Sequence, residues 1–143
     1  LAEKITSHRD LRVYQQAFES AMHIFMHTKA FPDEERYTLI DQMRRSSRSV
    51  CANLAEAWRN RRYEKSFISK LSDAEAEAGE TQVWIEFSVR LGYLSTDEGN
   101  KLYIAYNEIL RTIIGMINHP ESWIITPKKL QAEAHLYGET GPF

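Results

Sequence analysis

The sequence predicts an all-α fold, an antiparallel up-down-up-down four-helix bundle, on three observations. Apolar residues recur in steps of three and four over long segments, Gly and Pro are too sparse for a turn-rich β protein, and the breakers fall between the segments. At 143 residues the chain is read as one domain with a real core. Its expected parts are a lead-in (1–9), the bundle (10–118) and an extended or partly disordered tail (119–143).

Ser7 or Asp10 is the expected N-cap of a first helix that runs to Lys29. Leu11, Tyr14, Phe18, Met22 and Phe25 are its expected core face, with His23 and His27 nearly opposite. Pro32 breaks that helix, and Asp33 is expected to cap the next, with Glu34 and Glu35 in its first turn where carboxylates suit the helix dipole. The second helix runs to Trp58 or Asn60 on a seam of Ile40, Met43, Ser47, Val50, Leu54 and Ala57. Small residues beside that seam let a neighbouring helix come close.

The third helix spans about Tyr63 to Arg90, with Phe67, Leu71, Ala74, Ala78, Thr81, Ile85 and Ser88 repeating in a coiled-coil-like pattern. Gly92 is the expected stop, with Tyr93 and Leu94 folding back. Ser95 or Thr96 caps a fourth helix that ends near Asn118, before Pro120, and whose apolar residues cover about half its circumference. Val83, Trp84, Phe87 and Leu91 point away from the third seam. With Tyr103 and Ile114 of the fourth helix they form the candidate oligomer interface, since monomers rarely expose so large an apolar patch. In the tail, Trp123, Ile124 and Ile125 are expected to tack onto the bundle.

The net charge of −2 hides a local polarity. Arg44, Arg48 and Arg59 fall in one band of the second helix with Arg45 just beyond, and Arg61, Arg62, Lys65 and Lys70 extend it. Between Asp73 and Glu86 every charged residue is acidic. Two readings follow. The eight cations form a phosphate-contacting surface for RNA, with Trp58 or Tyr63 stacking on an unpaired base. Alternatively, the arginines pair with the acidic stretch, within or between subunits, and build an oligomer. No RNP1 or GXXG motif is present.

Catalysis is not expected. The paired Glu-x-x-His motifs of a dimetal bundle are missing, as are a P-loop, a dinucleotide fingerprint and a nucleophile elbow, so no cofactor is implied. Glu19, His23 and His27 share one helical stripe and are a weak metal alternative, against a plain solvated surface. Cys51 reads as a packed core thiol, and Asn53 and Glu56 as polar ties between the second and third helices. A lone cysteine, with no membrane-length apolar run and no signal-peptide core, makes the cytoplasm the expected location. The first residue is Leu, so leading residues are expected before it.

Three segments carry a family likeness: LRVYQQA at 11–17, FPDEERYTLIDQMRRSSRSVCANLAEA at 31–57 and FISKLSDAEAEAGETQVWIEFSVRLGYL at 67–94. Through the pattern FP-x-EE-x-Y-x-L-x-x-Q-x-RR…N-[IL]-AE the chain resembles the four-helix-bundle family of proteins encoded in 23S rRNA intervening sequences. The resemblance implies a ring-shaped homopentamer with no established activity. A related accessory protein of diversity-generating retroelements implies a reverse-transcriptase-type or RNA partner. Ala57 stands where the family usually has Gly, and Cys51 where Pro is common.

Overall fold

The computed structural model describes residues 4–143, and among these the protein is all-helical, with no strand. Four long helices, α1 (Arg12–Thr28), α2 (Leu39–Arg59), α3 (Glu64–Arg90) and α4 (Thr96–Asn118), are followed by a short fifth, α5 (Pro127–Ala132). Single 3-10 turns lie at His8–Asp10, Asp33–Glu35, Pro120–Ser122 and Glu133–Leu136. Each long helix packs on two others, α1 and α3 both lying against α2 and α4.

Cross-helix pairs fix the directions. Ser88 Oγ meets Met43 Sδ at 3.2 Å, Thr81 Oγ1 meets Ser46 Oγ at 2.8 Å, and Lys70 Nζ meets Glu56 at 3.0 Å. Numbers fall along α3 as they rise along α2, so the two run antiparallel. His27 against Glu98, and Gln82 against Tyr103 and Asn107, extend the alternation to α1–α4 and α3–α4.

The α2 and α3 seams lie in the core as their spacing requires: Met43, Val50, Leu54, Leu71, Ala74 and Ala78 are all fully buried. Gly92 ends α3 at φ +80°, a conformation that costs glycine little, and the N–H groups of Tyr93 and Leu94 donate to Ser88 O at 2.8 and 3.1 Å. Ser95 Oγ accepts from Glu98 N–H at 3.0 Å and starts α4. Gly99 lets α4 approach α3 closely, because a Cβ there would lie 2.2 Å from Val89 Cγ2.

Four expectations are corrected. The first helix begins at Arg12, after a turn that Ser7 and Asp10 close as a capping box. Of its expected core face Leu11 is buried and Tyr14 packs on the core, but Phe18 and Met22 are about half exposed, and the buried stripe of the helix is Val13, Ala17, Ser20, Ile24 and Thr28. The smaller residues win because α1 must fit closely between α2 and α4. Asp33 caps no long helix, since it lies inside a 3-10 turn and α2 begins at Leu39 with no side-chain cap. The tail is partly helical, with Leu130 buried, while Trp123 and Ile124 pack against the core as expected.

Candidate nucleic-acid interface and apolar faces

The eight cations grouped by sequence separate into distinct environments. Arg45, on the α2 face toward α3, bonds Glu80 at 2.5 Å and Glu77 at 3.3 Å, which raises its already high pKa. Lys70 answers from α3 with Glu56 at 3.0 Å and Asp73 at 3.8 Å. Both are therefore engaged within one protomer. Arg44 donates to Thr28 Oγ1 at 2.9 Å and lies 4.6 Å from the Phe25 ring centroid. Arg48 and Lys29 approach the same ring at 5.9 and 4.9 Å, so Phe25 is a platform for three cations.

Arg61 is the largest departure from the sequence reading, being only 4% exposed. Its guanidinium stacks 3.4 Å from the Trp58 ring, donates to Trp58 O at 2.8 Å and pairs with Glu133 of the tail at 3.2 Å. Burial lowers its pKa and Glu133 pulls it back. Ile125 N–H donates to Arg61 O at 3.2 Å, a backbone tie that also holds the tail. Trp58 is buried beneath this contact and presents no face for base stacking. Tyr63 is exposed.

What remains outward is Arg48, Arg59, Arg62 and Lys65. Arg59 donates to Tyr137 Oη at 2.6 Å and lies 5.2 Å from that ring. Arg62 and Lys65, where α2 turns into α3, make no ion pair among the described residues. Arg44 and Arg48 lie over Phe25 of α1, whereas Arg45 faces α3, so the cations grouped by spacing meet different elements. The tail's share in their contacts, from residues more than seventy positions away, had no local sequence mark.

The candidate interface residues lie as apolar surface. Val83, Phe87, Leu91, Tyr103 and Ile114 are exposed, while Trp84 is half-buried and reaches Glu80 with its indole N–H at 3.3 Å. Trp84 and Phe87 form a tilted aromatic pair at 5.9 Å. Missed by sequence reasoning was a second apolar strip on α1, Phe18, Met22 and Met26, next to a groove of about 510 Å³ between α1 and α2.

The metal alternative loses its geometry. Glu19 reaches His23 at 3.4 Å, but His27 turns to Glu98 on α4 at 2.9 Å, and no ligand cluster occurs among the described residues. Cys51 is buried, its Sγ 3.7 Å from Ser47 O, and burial pushes the thiol pKa up to about 11. Glu56 ties α2 to α3 through Lys70, whereas Asn53 bonds Ser49 of its own helix. Among the described residues, no helix is long and apolar enough to cross a membrane.

The family model described as 23S rRNA-intervening sequence protein matches residues 9–115, ending inside α4 and before the tail. No curated protein matches. Among solved structures, one from Bacteroides thetaiotaomicron, described as a protein with unknown function from the S23 ribosomal protein family, is 27% identical with a TM-score of 0.67. The match covers 74% of this chain and 95% of that chain. The chain belongs to the 23S rRNA-intervening sequence protein family.

Proposed function

We propose that the protein is a non-enzymatic, cytoplasmic scaffold that assembles with copies of itself and works as a protein–protein adaptor. The observation that carries this reading is exposed apolar surface on α3 and α4 combined with cations already committed inside the protomer. Phe87 is 50% exposed. Covering its remaining surface, on the order of 100 Å², stabilises an assembly by about 2.5 kcal/mol per contact. Arg45 and Lys70 are neutralised by their own α3 and α2 partners, so they serve the bundle first. A ring, taken as a pentamer from the family resemblance, is the expected closed form. Size-exclusion chromatography with light scattering tests this, and a monomer at working concentration overturns it.

A second reading keeps RNA, or a nucleoprotein of reverse-transcriptase type, as the partner. What favours it is the outward set Arg48, Arg59, Arg62 and Lys65. Several copies in one assembly would multiply a weak single contact. Anisotropy of a labelled single-stranded RNA across a salt series tests it. Affinity that falls steeply with salt supports it, and no binding at low salt overturns it.

A further inference from the structure

A groove of about 720 Å³ runs between the lead-in, the end of α2 and the tail, lined by Thr6–Arg9, by Ala55, Glu56, Arg59 and Asn60, and by residues 136–142 apart from Glu139. It has a definite sign. Arg9 and Arg59 both line it and both are exposed. Glu56, the one acid in the lining, is held by Lys70 at 3.0 Å. Burial, and then the two arginines, lower the pKa of His8. Tyr137 stands against Arg59, its hydroxyl accepting at 2.6 Å. Buried Leu130 and the Arg61–Glu133 pair hold the tail in place there.

We infer that this groove binds the backbone of a single-stranded nucleic acid, with Arg9 and Arg59 on phosphates and the Tyr137 ring beside an unpaired base. A large groove with a few convergent polar groups and a perturbed titratable residue is where a ligand is best held. Arginine forks suit phosphate oxygens, and aromatic faces accept any base. The inference rests on the nucleic-acid reading and moves its centre. Arg45, Arg61 and Lys70 drop out, and Arg9, which lies outside the α2 band, enters. One wall of the groove is the tail, which the family match does not reach.

The test is anisotropy of a short, mixed-sequence single-stranded RNA on the full chain over a salt series, with circular dichroism on each variant. Arg9→Gln/Arg59→Gln is expected to reduce the slope of log affinity against log salt by about 1.4, two phosphate contacts on a single strand. Tyr137→Ala is expected to weaken binding roughly tenfold. Arg62→Gln/Lys65→Gln, whose cations lie outside the groove, is expected to lower that slope by less than the groove variant does. Loss confined to the Arg62/Lys65 variant overturns the groove while the nucleic-acid reading stands. No binding by the unaltered protein at low salt overturns both. If the double groove variant loses helix, Arg9→Gln alone, on the exposed lead-in, decides the matter by a slope lowered by about 0.7.

Discussion

Glu133→Gln isolates the contact that fastens the tail to the bundle. Arg61 keeps 5% of its side-chain surface and Glu133 25%, so the pair is neither fully buried nor a surface bridge. Removing one partner of a fully buried pair costs roughly 3–5 kcal/mol, and a surface pair is worth about 0–1. An intermediate cost of about 2 kcal/mol follows, because Gln can still accept one hydrogen bond but leaves a buried guanidinium without its counter-charge. The tail packs on the bundle by few buried groups, Leu130 foremost, so the loss should fall on local opening rather than on global unfolding. At about 2 kcal/mol the opening equilibrium of residues 124–137 rises roughly thirtyfold. Hydrogen exchange read by mass spectrometry measures it directly, with α2 and α3 amides as the internal control. Unchanged protection in the tail would refute the reasoning, and equal loss in the tail and in α2 would show that the two unfold together.

Three further predictions concern the core. Gly99→Ala gains about 1 kcal/mol of helix propensity but places a Cβ 2.2 Å from Val89 Cγ2, and overpacking of that kind costs roughly 1–3 kcal/mol. Net destabilisation of about 1 kcal/mol in urea, partly relieved by Val89→Ala, is expected, and a more stable variant would contradict the close α3–α4 approach. Tyr106 is fully buried and its hydroxyl has no hydrogen-bond partner among the described residues, so Tyr106→Phe should be neutral or stabilising by up to about 1 kcal/mol. A loss above that in chemical denaturation would mean the hydroxyl is bonded. Cys51, with its pKa raised from 9.0 to about 11, contributes stability that is complete below pH 9 and lost as pH rises toward 11. Its thiol should resist a disulfide reagent at neutral pH and react once denaturant opens the fold, and fast labelling of the folded chain would place it outside the core.

The sequence was most legible where burial and spacing coincide. In α2 and α3 the buried side chains are the ones whose steps of three and four stand out, and the Gly92 and Ser95 caps carry their own backbone chemistry. In α1 two seams compete. The larger one, through Phe18 and Met22, faces outward, because contact with two neighbouring helices selects the smaller Val13, Ala17 and Ser20. Bulk alone therefore misassigned Phe18 and Met22, whereas Leu11 of the same expected face is buried. The cations were legible in the sequence, but not the element that each one meets. Whether an arginine is spent depends on partners from other elements: Glu77 and Glu80 for Arg45, Glu133 for Arg61, Tyr137 for Arg59. Only the first pairing could be suspected, since it joins adjacent helices of opposite charge.

Self-assembly is the central claim, and native mass spectrometry of the full chain beside a Val83→Glu/Phe87→Glu variant tests it most directly. Both substituted residues are exposed in the protomer, so the variant should keep its helix content. The account predicts a closed multiple of the 16.7 kDa chain that collapses to single chains in the variant. A 16.7 kDa species at micromolar concentration, or an assembly indifferent to the two substitutions, would contradict it.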